Sequence, residues 1–302
     1  VRRSLSSGED RGFRLGSGAL ASLLVLAVAA IGVVLLVDSR KSIAAFGFSF
    51  WRTRTWDPVA GDFGALPFIW GTLYSSALAL LISTPIALGI AVFLSELCPQ
   101  KLRQPLAFLT ELLAAIPSIV YGLWGIFVLV PLVRAFETSV PDWLRATPLF
   151  SGPPLGVGML AAGLVLAVMV IPFTATVARE VLRAVPRAQR EGAYALGATR
   201  WEATRMALFY GRTGILGAIT LGLGRALGET MAVTMVIGNS PQISASLFAP
   251  QYTMAAVIAN EFTEAADDLY LHALVEIGLV LFIITVAINA LSRLLIWRVA
   301  RA

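Results

Sequence analysis

Six long apolar stretches separated by short polar segments constrain this chain more than any other feature. They fall at 15–37, 68–94, 105–133, 155–177, 213–237 and 273–297. A helix that crosses a bilayer needs about 20 mostly apolar residues, and each stretch supplies them. A soluble domain carries about a quarter charged residues to cover its surface. Here 58% of the 302 residues are hydrophobic and 14% are charged, with a mean hydropathy of +0.81. The pattern predicts an all-α, polytopic membrane protein with six transmembrane helices. Pro85, Pro117, Pro131 and Pro172 lie inside these stretches. Membrane helices keep such prolines where neighbouring protein satisfies the freed carbonyls, so the helices are expected to pack on one another or on a partner. The basic N-terminal segment (Arg2, Arg3, Arg11, Arg14) precedes a run longer than a signal-peptide core, which predicts a retained anchor.

The polar residues exclude several functions. One cysteine, Cys98, and one histidine, His272, leave no disulfide framework and no Cys/His metal cluster. No G-x-x-x-x-G-K-[ST] phosphate loop occurs, so ATP and Mg, if used, belong to a partner ATPase, and no cofactor is expected in this chain. The net charge of +5 sits between apolar runs rather than along one face, which argues for contact with membrane lipid and against nucleic acid. No nucleophile–base set stands out, so a membrane-bound enzyme is disfavoured. An autonomous secondary transporter would usually show an internal repeat, and none is evident.

Lysine and arginine set the expected orientation. Sixteen fall in the N-tail, the 101–103 connection, the 179–212 loop and the C-tail; six fall on the other side, and Arg225 lies within a span. Both termini are therefore expected in the cytoplasm. The outer connection 238–272 has no Lys or Arg and carries Glu261, Glu264, Asp267 and Asp268. It reads either as a solvated acidic face or as a landing site for an external partner.

The longest inner connection, 179–212, carries its own pattern. The alanines and Glu191 between 187 and 196 favour helix, Gly197 suits a left-handed stop, and Thr199 with Glu202 three residues later spells a capping box. The expected shape is helix, glycine turn, helix, projecting from the bilayer. Small residues permit close approach, and Tyr194 and Trp201 are the aromatic types that anchor interfaces. An amphipathic helix on the membrane surface, favoured by Arg187, Arg190, Arg200 and Arg205, is the alternative.

The segment 191–197 (Glu-Gly-Ala-Tyr-Ala-Leu-Gly) resembles the "EAA…G" loop of ABC-importer permeases. Glu191, Ala193 and Gly197 match, Gly192 replaces the middle alanine, and Phe209 stands where the family often has proline. In that family the loop inserts into the ATPase subunit, which implies ATPase coupling through Glu191, Ala193, Gly197, Thr199 and Trp201. The runs 110–125 (Thr-Glu-Leu-Leu-Ala-Ala-Ile-Pro-Ser-Ile-Val-Tyr-Gly-Leu-Trp-Gly) and 221–233 (Leu-Gly-Leu-Gly-Arg-Ala-Leu-Gly-Glu-Thr-Met-Ala-Val) look like the permeases of phosphate importers. The resemblance extends from about residue 56 to the C-terminus. It implies the type I ABC importer permease fold, with 1–67 as tail, first span and external loop, and 68–300 as the transmembrane domain. It also implies a sister permease, PstA, two copies of an ATPase subunit, PstB, and a soluble phosphate-binding protein, PstS, in a bacterial inner membrane.

Arg225 and Glu229 lie within the fifth stretch, where each charge costs a few kcal/mol unless paired or hydrated. At i and i+4 on one helix they would share a face. They read as a mutual ion pair or as an anion site, since the arginine fork suits phosphate oxygens. A carboxylate there can accept a hydrogen bond from protonated phosphate and repel sulfate. Sulfate, molybdate and phosphonate remain the rival substrates. In the third stretch Pro117 breaks the helix before Ser118, with Gly122 close behind. That reads as a simple kink or as a broken helix offering Ser118 and backbone N–H groups to the anion. Glu111 is expected about a third of the way into the membrane, to gate, to pair with a partner's arginine or to snorkel. Gly217, Gly222, Gly224 and Gly228 predict close helix packing along the fifth span.

Overall fold

The computed structural model describes the backbone of residues 7–301 and side chains from Gly12 to Arg301. Val1, Arg2 and Arg3 lie outside the described residues, as does the side chain of Arg11. The described chain is helical, with two isolated β-bridges and no strand. Apolar segments in lipid leave the backbone only itself as hydrogen-bond partner, and helix is the local solution.

The chain opens with α1 (Ser7–Asp38), α2 (Arg40–Phe46) and a short 3-10 turn, Gly47–Trp51. α3 (Leu66–Val92) continues through a π-helical turn, Phe93–Leu97. α4 (Gln100–Ala115), α5 (Ser118–Trp124) and, after the π-turn Gly125–Leu129, α6 (Val130–Ser139) follow, then the single turn α7 (Asp142–Arg145). Next come α8 (Met159–Ala184), α9 (Arg187–Ala195), α10 (Arg200–Tyr210), α11 (Arg212–Leu227), α12 (Met231–Thr234), α13 (Met254–Glu261) and α14 (Asp268–Arg301).

Five segments are long and apolar enough to cross a membrane: Gly12–Asp38, Leu66–Leu97, Ser118–Ser139, Met159–Ala184 and Asp268–Arg301. A sixth arises if α10 and α11, bent by 68°, are counted together. The six-span reading holds in outline, but two boundaries move. The third span starts at Ser118 rather than at 105. Pro117 disfavours helix at the residue before it, and Ile116 and Pro117 take extended ψ values of 131° and 140°. The fifth helix stops at Leu227 instead of running to 237, because the chain turns out of helix at Gly228–Thr230. The 179–212 connection also shortens. Arg179 and Arg183 belong to α8, which runs until Val185 becomes extended ahead of Pro186.

α3 and α8 form the centre of the bundle, their contact lined by buried Ala79, Ala161, Ala162 and Val165. Small side chains let membrane helices approach closely, and packing replaces the hydrophobic effect as their glue. α11 joins this pair where Ala178, Leu182, Ile215 and Ala218 are buried together. At the opposite end an aromatic cluster of Phe50, Phe63, Phe68, Tyr252 and Tyr270 ties the 47–65 segment to α13 and α14. Glu261 clasps that cluster, accepting from Trp56 Nε1 at 2.8 Å and from the Tyr270 hydroxyl at 2.6 Å. So part of the acidic 238–272 segment is committed to packing and is not a free face. Lys41 pairs with Asp268 at the same end.

Candidate functional site

The exposed loop forms at the end of α8. α9 closes on a Schellman motif: Ala198 N–H donates to Ala193 O at 3.0 Å and Gly197 N–H to Tyr194 O at 2.9 Å. Gly197 has φ +82°, the left-handed conformation this motif needs. α10 then starts with a complete capping box. Thr199 N–H donates to Glu202 Oε2 at 2.7 Å, and Glu202 N–H donates to Thr199 Oγ1 at 3.4 Å. The Thr199 N–H, and secondarily its hydroxyl, hold the Glu202 carboxyl below its ordinary pKa. The turn leaves Leu196 91%, Trp201 67% and Tyr194 50% exposed. Glu191 is also exposed, whereas Ala193 is buried within the loop. Three large side chains thus stand clear of the chain around one turn.

Ion pairs hold this loop to the spans. Arg190 of α9 donates to both carboxylate oxygens of Glu96, at 2.7 and 3.1 Å. It also donates to Leu182 O at 2.7 Å and Val185 O at 2.9 Å. A few residues back, Arg179 of α8 donates to Glu111 of α4 and to Glu180, each at 2.9 Å. Glu111 therefore pairs within its own chain. It sits on α4, ahead of the span that begins at Ser118, and not a third of the way into it as its position in the third apolar stretch suggested.

The intramembrane residues cluster around two helix breaks. α5 begins at Ser118, which is half-buried just past the extended Ile116–Pro117. The Tyr121 hydroxyl spans the break, donating to Leu113 O at 2.8 Å. α5 packs against α12 at Gly122: a Cβ there would lie 2.5 Å from Met235 Sδ and 3.1 Å from Ala232 Cα. α12 follows directly on the second break, Gly228–Thr230, and Arg225 is within Coulomb reach of Tyr121. The two breaks thus lie in one region, carrying Ser118 on one side and Arg225 and Glu229 on the other.

Arg225 and Glu229 do not share a helix face. Arg225 is in the last turn of α11, and Glu229 lies beyond its end, where its Oε1 accepts from Ala232 N–H at 3.3 Å. Among the described residues neither makes an ion pair, and the Arg225 Nε is buried without a hydrogen-bond partner. Its guanidinium lies 5.9 Å from the Phe173 ring centre, a cation–π contact. The mutual ion pair is therefore absent, and Arg225 keeps its donors. Of the glycines on this helix, Gly222 meets α8 closely: a Cβ would lie 2.5 Å from Thr174 Oγ1. Gly217 and Gly224 face open space.

The Arg190–Glu96 and Arg179–Glu111 pairs escaped the sequence reading. Their partners are 94 and 68 residues apart, and no local pattern links them. The one available signal was the presence of carboxylates beside arginines at the ends of apolar runs.

The binding-protein-dependent transport system inner membrane component family matches residues 84–301. The chain is 46% identical to the phosphate transport system permease protein PstC of Mesorhizobium japonicum, over 96% of this chain and 90% of that one. It is 49% identical to the protein of the same name from Haemophilus influenzae, over 94% and 92%. To the probable one from Methanocaldococcus jannaschii it is 38% identical, over 84% and 83%. Its fold is similar to a chain of the MetNI methionine ABC transporter in an inward-facing conformation, with a TM-score of 0.57 at 20% identity, covering 76% of this chain and 94% of that one. A multi-pass helical chain with an exposed loop and family-wide similarity over most of its length is a transport subunit: it belongs to the binding-protein-dependent transport system inner membrane component family, among the PstC-type permeases.

Proposed function

We propose that this chain is a permease subunit of an ATP-driven phosphate importer. It forms the translocation path with a sister permease of the PstA kind and takes its drive from two PstB-type ATPase subunits, which bind the ATP and Mg. A PstS-type phosphate-binding protein delivers substrate from outside. Residues 68–300 form the transmembrane domain, residues 1–67 add an anchor and an external loop, and both termini face the cytoplasm. The exposed Leu196–Trp201 turn docks on the ATPase, with Glu191, Gly197, Thr199 and Trp201 shaping the contact and Ala193 setting the loop's packing.

One observation carries the anion reading. Arg225 sits at the end of a broken membrane helix, free of any carboxylate partner among the described residues, with a buried Nε awaiting an acceptor. An unpaired guanidinium at membrane depth is costly, and an oxyanion would satisfy it in the bidentate geometry arginine favours. Glu229 and Ser118 flank the same region. Phosphate keeps at least one proton near neutral pH and can donate to Glu229, whereas sulfate cannot. The phosphate names of the chain's relatives support the same choice over sulfate, molybdate or phosphonate. In the reconstituted importer, Glu229→Gln is expected to reduce phosphate-over-sulfate discrimination by about tenfold, the scale of one lost discriminating hydrogen bond. Unchanged selectivity would limit Glu229 to capping α12.

A further inference from the structure

Two adjoining concavities lie where α3, α4 and α8 meet. The first is a cavity of about 510 Å³ lined by Gln100, Arg103, Gln104, Glu111, Arg179 and Arg183. The second is a groove of about 480 Å³ lined by Ile86, Gly89, Ile90, Leu106, Leu109 and Leu113. Leu94 borders both. α4 supplies the link. Residues 100, 103, 104 and 111 form its polar stripe, and 106, 109 and 113 form an apolar stripe about 140° around the helix.

The polar cavity carries surplus positive charge. Arg179 is met by Glu111 and Glu180, and Arg183 shares Glu180 at 3.3 Å. Arg103 has no carboxylate within ion-pair distance among the described residues. Its Nη2 donates to Cys98 O at 3.3 Å, and its Nε is buried without a partner. Three guanidiniums therefore face two carboxylates. The neighbouring groove is apolar and opens beside the cavity at the same end of the spans. α4 is not among the helices apolar enough to cross the membrane.

We infer that this joint site holds one anionic phospholipid of the cytoplasmic leaflet, with its phosphate against Arg103 and Arg183 and an acyl chain in the Ile86–Leu113 groove. Basic pockets between helices at the cytoplasmic surface suit anionic head groups. A free inorganic phosphate would fill the cavity and leave the groove bare. A protein segment would have to bring both an apolar ridge and an anionic group. A phospholipid has the two ends covalently joined in the order the surface presents them. Glu111 does not oppose the head group, because its carboxylate accepts from Arg179. The bound lipid bridges α4 to α3 and α8 next to the Arg190–Glu96 anchor, and so stiffens the base on which the exposed loop stands. The leaflet assignment rests on the proposed orientation.

The test uses the assembled transporter purified in mild detergent and stripped of lipid. Adding phosphatidylglycerol is expected to raise its unfolding midpoint by about 2–4 °C, and native mass spectrometry is expected to retain one such lipid on this subunit. Phosphatidylcholine and inorganic phosphate alone are expected to give neither effect. Arg103→Gln removes the unneutralised charge. Gly89→Leu fills the groove from a position whose Cβ would have no atom within 4 Å, so it perturbs the lipid seat and not the fold. Both variants are expected to lose the retained lipid and the shift. The proposal is overturned if phosphatidylcholine matches phosphatidylglycerol, if phosphate alone reproduces the shift, if both variants keep the lipid, or if the sister permease covers the groove. The orientation is checked apart from this, by sided thiol labelling of Lys101→Cys in intact cells. Labelling from outside would overturn the leaflet while leaving lipid binding to stand on its own result.

Discussion

Arg190 in the exposed loop grips Glu96 at the end of the first core span through two hydrogen bonds, at 2.7 and 3.1 Å, with both side chains mostly buried. The same guanidinium donates to two carbonyls at the end of α8, Leu182 and Val185. One residue thus fastens α9 to both helices at the centre of the bundle. A loop held this way is tied to the spans by more than its own connections, as the proposed coupling to an ATPase requires.

That relationship is testable as a coupling energy. Removing one partner of a mostly buried pair strands the other, so Arg190→Gln and Glu96→Gln should each lower the unfolding midpoint in detergent. The double variant should be no worse than the worse single, with a coupling of about 0.5–3 kcal/mol. Strict additivity of the two losses would show that the pair is incidental.

The capping box should make the start of α10 sensitive to acid. The folded Glu202 carboxyl titrates below its ordinary value because Thr199 donates to its charged form. Its contribution is therefore present above the ordinary carboxylate range and is lost as pH falls through the lowered folded value. Hydrogen exchange in the first turn of α10, corrected for intrinsic rate, should be pH-independent near neutrality and rise on acidification. At neutral pH Thr199→Ala should loosen that turn by about 1 kcal/mol, seen as a severalfold loss of protection.

Gly197→Ala should disturb the turn without touching any neighbour. Its Cβ would have no atom within 4 Å, yet φ is +82°. The cost is the left-handed backbone alone, about 1–2 kcal/mol. Transport-linked ATP hydrolysis by the assembled importer should fall while the permease still assembles; an unchanged rate would mean the turn geometry is not read by the ATPase.

The α11 glycines should separate into two groups. Gly222→Ala forces a methyl against Thr174 and Val170 and should destabilise the subunit by about 1–3 kcal/mol. Gly217→Leu and Gly224→Leu meet open space within the chain, so the lone subunit should tolerate them while assembly with the sister permease fails. Co-purification of the two permeases distinguishes these outcomes.

The apolar runs, the Schellman stop at Gly197 and the Thr199–Glu202 cap were legible in the sequence because each depends on residues within a few positions of one another. The helix breaks were only half legible. Pro117 announced the first, but hydropathy averaged α4 and α5 into one span and carried Glu111 into the membrane with them. No proline marks the second break, and Leu221–Ile237 reads as continuous apolar helix, so Arg225 and Glu229 looked like i, i+4 neighbours. The chain leaves the helix at Gly228, with α12 packed against α5 at Gly122. That is a tertiary contact across more than a hundred residues, which local spacing does not encode. The loop anchors were hidden for the same reason.

The most direct test of the phosphate assignment is ATP hydrolysis by the importer reconstituted in liposomes with its partner ATPase, sister permease and binding protein. Hydrolysis should rise with phosphate-loaded binding protein and not with sulfate, and Arg225→Gln should abolish that rise while leaving the complex assembled. Hydrolysis indifferent to phosphate in the wild-type complex, or a full phosphate response in Arg225→Gln, would contradict it.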